Sequence, residues 1–121
     1  MKSKKVLVID DEKDLLELLT TRLQGEGFEV TCAFNGKEGL DKAAEWKPDL
    51  ILLDIMMPEM DGIQTLKVLK ETSETRTIPV IMLTCKGETE SIFKTEKLGS
   101  TDYIIKPFDS TELLSLVKRY I

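Results

Sequence analysis

The sequence predicts an α/β domain, a parallel sheet with helices packed on both of its faces. Three observations predict it. Apolar runs of strand-forming residues recur five times, each followed by a stretch whose apolar residues fall at helical spacing. Several of these runs are continuously apolar, as strands buried on both faces must be. Polar and acidic residues stand just after the runs, where open α/β sheets bind their ligands.

Val6-Leu7-Val8-Ile9 is the first strand. Leu15, Leu16, Leu19 and Leu23 then recur at helical spacing, and Gly25 and Gly27 end that helix. Phe28, Val30 and Cys32 alternate with Glu29 and Thr31, which suits a more exposed strand. Asn35-Gly36 turns the chain into a helix carrying Leu40, Ala43 and Ala44, and Pro48 stops it; Trp46 packs or covers this helix. Leu50-Ile51-Leu52-Leu53 is the third strand. A loop with Pro58 and Gly62 leads to a helix bearing Ile63, Leu66 and Leu69. Val80-Ile81-Met82-Leu83 is the fourth strand, and the weakly patterned helix after it carries Ile92, Phe93 and Leu98 before a Gly99 cap. Tyr103-Ile104-Ile105 is the fifth strand. Asp109 caps the last helix, with Glu112 at the capping-box position and Leu113, Leu114, Val117 and Ile121 as its buried stripe.

The 121 residues suit one domain, 1–121, large enough to bury a core without metals or disulfides. No apolar run approaches the roughly 18 residues of a membrane span. The basic start, Met1 to Lys5, is followed by an apolar stretch too short for a signal peptide, so a cytoplasmic protein is expected. A net charge of −5 argues against direct nucleic-acid binding, because phosphates would be repelled. Cys32 and Cys85 form no CxxC pair and read as reduced thiols. Histidine is absent, which removes imidazole acid–base chemistry, histidine metal ligands and any role as a phosphohistidine donor.

Strand one runs into Asp10-Asp11-Glu12, strand three into Asp54, strand four into Thr84 and strand five into Lys106-Pro107. On the predicted fold these meet at one edge. Bare carboxylates gathered there would repel one another. A hard divalent cation relieves the repulsion, and oxygen ligands select Mg²⁺ over softer metals. The loop after strand one is acidic, so it is a poor cradle for free phosphate or a flavin phosphate. It is a good place to form an aspartyl phosphate, since a carboxylate oxygen can attack phosphorus once cations neutralise the phosphoryl oxygens. Taken singly, the acidic run could be only a solvated helix start and Lys106 only a surface lysine; together they outweigh that reading.

Asp10-Asp11, Asp54 with Pro58 and Asp61-Gly62, Thr84, and Lys106-Pro107-Phe108 resemble the motifs of bacterial two-component response-regulator receiver domains, in order and spacing, over nearly the whole chain. The resemblance implies a single-domain (βα)5 flavodoxin-like fold with strand order 2-1-3-4-5. It implies that Asp54 accepts a phosphoryl group from the phosphohistidine of a sensor histidine kinase or histidine phosphotransfer protein. It assigns Mg²⁺ to Asp11, Asp54 and the carbonyl of Met56, with Asp10 holding a metal-bound water. Thr84 and Lys106 would bind the phosphoryl oxygens, and Tyr103 would turn inward as Thr84 moves. The Lys106–Pro107 bond is expected to be cis. The change would be relayed through helix 4, strand 5 and helix 5 to a downstream target or output domain. No enzymatic turnover is implied beyond self-phosphorylation and slow autodephosphorylation.

Departures bear on those expectations. Met56 and Lys86, each two residues after Asp54 and Thr84, stand where neither can serve an attacking water as a base. Cys85 reads as a small residue beside the pocket without chemistry of its own. Leu116 stands where the winged-helix transcription-factor subfamily usually carries a basic residue, which weakens the case for that subfamily's phosphorylation-dependent dimer, although Lys94, Lys97, Asp102, Glu112 and Lys118 keep the face mixed in charge. The chain ends within its last helix, so it is expected to be a stand-alone receiver or an excised one. Two other functions compete. A phosphatase of the haloacid-dehalogenase type needs an aspartate where Met56 stands. A phosphorylation-independent binding module predicts a decayed acid pocket, and this one is complete.

Overall fold

The structure, a computed structural model, describes residues 3–121. Strands and helices alternate along it: β1 (Lys5–Ile9), α1 (Lys13–Gly25), β2 (Glu29–Ala33), α2 (Gly36–Trp46), β3 (Leu50–Asp54), α3 (Gly62–Glu71), β4 (Val80–Cys85), α4 (Thr89–Leu98), β5 (Asp102–Lys106) and α5 (Ser110–Tyr120). All strands pair in parallel, in the order β2-β1-β3-β4-β5. The order reverses between β1 and β3, so the carboxyl ends of those two strands flank the crevice where such sheets bind ligands.

The period-2 geometry of each strand divides the core in two. On one face Leu7, Ile9, Ile51, Leu53, Val80 and Met82 pack with Ala43 of α2 and Leu66 and Leu69 of α3. On the other, Val6, Val8, Leu50, Leu52, Ile81 and Leu83 pack with Leu16, Leu19 and Leu23 of α1 and Leu113 and Val117 of α5. These side chains are almost wholly withdrawn from water. Each contributes roughly 1.5–3 kcal/mol, which makes β1, β3 and β4 the rigid centre of the molecule.

The second strand departs from the simple alternation expected of it, and the fifth is less covered than the central strands. In β2 every residue from Val30 to Cys32 is half-buried, and in β5 only Ile104 is buried, with Tyr103 and Ile105 exposed. Both are edge strands, so each lacks a neighbour on one side. Helix α4 also corrects the sequence pattern. Phe93, one of the apolar residues of its weak pattern, is 60% exposed, and Thr95 is buried instead. Ala44 of α2 is likewise exposed, while Gly36, Gly39 and Ala43 face inward. Trp46 packs half-buried against the core, beneath the Lys5 ammonium at 5.3 Å.

Helix ends follow local chemistry. Asn35 caps α2 through the Glu38 N–H, and Lys47 closes that helix in a left-handed conformation at φ 52°. A full capping box belongs to α3, where Asp61 and Gln64 satisfy each other's backbone N–H groups. The box expected at α5 does not form: Asp109 accepts the N–H of Thr111, and Glu112 takes no part in the cap.

Gly62 explains how tightly α3 meets β3. Its N–H donates to the Ile55 carbonyl at 2.9 Å. A Cβ there would lie 2.2 Å from the Asp54 carbonyl oxygen and 2.6 Å from the Ile55 Cα, so the backbone itself would have to yield. Gly62→Ala is expected to destabilise the fold by roughly 2–4 kcal/mol in urea unfolding. Gly25→Ala, where a Cβ meets nothing within 4 Å, is the control and should cost nothing. Equal stability of both variants would refute this account of the contact.

Candidate functional site

Each end of the central strands delivers one piece of the site. β1 ends at Ile9, so Asp10 leaves the sheet while still covered and is fully buried. β3 ends in Asp54, which is 2% exposed. β5 ends in Lys106, whose side chain reaches back over the crevice to both. Its ammonium donates to Asp10 Oδ2 at 2.8 Å and lies 3.3 Å from Asp54 Oδ1 and 3.3 Å from Glu12 Oε1. The other Asp10 oxygen accepts the Glu12 N–H at 2.9 Å. The Met56 N–H points at Asp54 Oδ1 at 3.4 Å. The Lys106–Pro107 peptide bond is cis.

Asp10, Asp11 and Asp54 each offer a carboxylate oxygen, all within 4.8 Å of one another. Asp11 is exposed and the other two are buried. Such a hard, anionic oxygen set fits a divalent cation such as Mg²⁺, and among these three acids only Asp10 and Asp54 have the Lys106 countercharge.

Electrostatics bear the mark of that crowding. Burial, and then the negative charge of Asp10, push the Asp54 carboxyl up to about 7, against the opposing pull of Lys106 and the Met56 N–H. Burial works against the charge on Lys106 too. The hydrogen bond and charge of Asp10, with Asp54 and Glu12 behind them, win and hold the ammonium above its ordinary range.

The remaining predicted residues lie around this centre. Thr84 is fully buried, two residues from the exposed Lys86, and its hydroxyl donates to the Cys85 carbonyl at 3.4 Å. Tyr103 is 39% exposed on β5 and pairs in register with Met82 rather than Thr84. The Met56 side chain is 56% exposed. Cys85 is exposed and lines a shallow concavity with Glu12, Lys106 and Pro107. Leu116 packs half-buried against the α1/α5 core, and Lys118 pairs with Glu26 at the end of α1. Sequence reasoning missed one participant. Glu12 counted there only as the tail of an acidic run, and nothing in a linear sequence reveals its partner 94 residues away.

A doubly wound sheet with buried aspartates after β1 and β3, and a lysine bridging them from β5, defines a class of acid-pocket signalling domains. Comparison with known proteins specifies it further. Residues 6–118 match the response regulator receiver domain family, and the chain belongs to that family. It is 44% identical over 115 residues to Regulatory protein AtoC of Escherichia coli strain K12, covering 95% of this chain and 24% of AtoC. It therefore spans about a quarter of that relative's length. Among solved structures, Vibrio cholerae chemotaxis protein CheY4 matches with a TM-score of 0.94 and 32% identity, over 99% of this chain and 100% of that one. The Francisella response regulator 1452 receiver domain matches with a TM-score of 0.88 and 38% identity, over 98% and 96%. The chain is thus a receiver domain of two-component signal transduction, a signalling domain rather than an ordinary enzyme.

The raised Asp54 value has a measurable consequence. Unfolded, this carboxyl titrates near 3.8; folded and without metal, near 7. Between those values the folded state keeps a proton that the unfolded chain has lost, so stability falls as pH rises through the window. The full penalty is present above it. In EDTA, Asp54→Asn is therefore expected to be more stable than the wild type at about pH 8, by on the order of 2 kcal/mol after solvent screening, with the gain vanishing near pH 4. Denaturant titrations at both pH values check this, and a variant no more stable at the higher pH would refute it.

Proposed function

We propose that this domain, residues 1–121, is a phosphorylation switch in which Asp54 takes a phosphoryl group from the phosphohistidine of a sensor kinase or histidine phosphotransfer protein. The observation that carries the reading is the Lys106 ammonium 3.3 Å from Asp54 Oδ1, beside aspartate oxygens clustered within 4.8 Å. In the reaction, an Asp54 oxygen forms a bond to phosphorus as the phosphorus–imidazole bond breaks, and the imidazole nitrogen leaves with the electron pair. Residues 1–121 contain no histidine, so the phosphoryl donor lies outside this domain.

Asp10, Asp11, Asp54 and the Met56 carbonyl would hold Mg²⁺, which when bound supplies the positive charge that offsets carboxylate and phosphoryl oxygens alike. Lys106 would neutralise a phosphoryl oxygen on Asp54. Thr84 supplies a hydroxyl at the strand end for another oxygen. Tyr103 follows Thr84, and the change spreads over α4, β5 and α5 toward a downstream target or output domain. Helix α4 is suited to move: its N-cap residue Glu88 makes no side-chain cap, and Thr95 is the one residue of that helix buried outright. A cytoplasmic location agrees with the free thiols of Cys32 and Cys85. Among the described residues no helix is long and apolar enough to cross a membrane.

Acetyl phosphate with Mg²⁺ is expected to add one phosphoryl mass, and Asp54→Asn or excess EDTA to prevent it. Label on the variant would refute the assignment. A wild type that takes none would favour a phosphorylation-independent binding module. The label should decay slowly, because Met56 gives water no strong hydrogen-bonding partner; Met56→Asn should shed it faster, and equal decay would reject that role.

Beryllofluoride, a phosphoryl mimic, is expected to change hydrogen exchange most between Thr84 and Lys106. A change confined to the residues around Asp54 would disprove the relay.

A further inference from the structure

Glu12 occupies the N-terminal cap position of α1, yet its side chain caps nothing. Asn35, Asp61 and Asp109, at the same position of their helices, all do. The Glu12 carboxylate is instead turned to Lys106, 3.3 Å away. Its backbone N–H meanwhile holds Asp10. One residue thus touches both the lysine and the lysine's strongest partner.

An ammonium has three hydrogens, and here three carboxylates surround it. Asp10 is buried and closest, at 2.8 Å; Asp54 is buried, at 3.3 Å; Glu12 is 62% exposed. A phosphoryl oxygen arriving on Asp54 needs one of those hydrogens. Stripping Asp10 would leave a buried carboxylate without its cation, which is expensive. Glu12 can let go at little cost, because water replaces the lysine at its exposed oxygen.

We infer that Glu12 is a positioning residue that holds Lys106 on the β1 side of the pocket until a phosphoryl group draws it away. The inference rests on the phosphoryl-acceptor reading of Asp54. The contact exists only in the resting state, so it stabilises that state against the phosphorylated one. Removing it speeds phosphoryl capture. An exposed ion pair sets the scale of the gain at about two- to five-fold.

Two variants separate contact from charge. Glu12→Gln keeps the length and loses the charge; Glu12→Asp keeps the charge but is one methylene too short to reach Lys106. With saturating Mg²⁺ and phosphoramidate as donor, both are expected to raise the initial rate of Asp54 labelling about two- to five-fold. In metal-free protein, the ¹⁵N–¹H resonance of the Lys106 ammonium should move in both. Stability is measured alongside, since Asp is the better helix cap and a purely structural role would shift melting without touching the labelling rate. Wild-type rates in both variants overturn the inference. So does acceleration by Gln alone, which would mean simple repulsion of the anionic donor. If the wild type takes no label, the functional reading fails, and the metal-free resonance decides the contact: movement in both variants upholds it, and no movement overturns it.

Discussion

The Lys106 ammonium, lodged among carboxylates from β1 and β3, is the interaction on which the site depends. Asp10 and Asp54 are buried charges facing one another across the topological switch point. Burial and the Asp10 charge push the Asp54 carboxyl up to about 7 even with the lysine present. One positive charge cannot satisfy this many negative ones. The pocket therefore keeps an unmet demand for cations, and that demand explains why both a divalent ion and a multiply charged phosphoryl group belong there. An uncompensated electrostatic debt at rest gives the molecule a second state to move to.

The fold tolerates this cost because the strain sits on its most rigid part. β1, β3 and β4 are covered on both faces, and their packed side chains fix the strand ends that carry Asp10, Asp54 and Thr84. Gly62 and the Asp61–Gln64 capping box lock the loop after Asp54 against the same scaffold. Away from that centre the structure loosens. The start of α4 has no side-chain cap, Phe93 faces outward, and the edge-strand residues Tyr103 and Ile105 are exposed. A charge event at a rigid centre, next to a weakly held flank, is the arrangement from which a two-state response can be built.

The sequence by itself determined the alternation of strands and helices, because hydrophobic period is a local property. Val6–Ile9, Leu50–Leu53 and Val80–Leu83 could only be strands buried on both faces, and the acids after them could only lie at one edge of a parallel sheet. Family resemblance added the strand order, which the structure has. Local reading failed where tertiary context decides. Phe93 is apolar but exposed, since which face of α4 is covered depends on α3 and not on the helix's own pattern. Glu112 lies at the right spacing for a capping box that Asp109 makes unnecessary by bonding Thr111. Only the tertiary structure decided which carboxylates are buried, how far Asp54 is pushed from its ordinary titration, and that Glu12 shares Lys106 with Asp10. Those are properties of distance and desolvation between residues remote in the chain, and no local pattern encodes them.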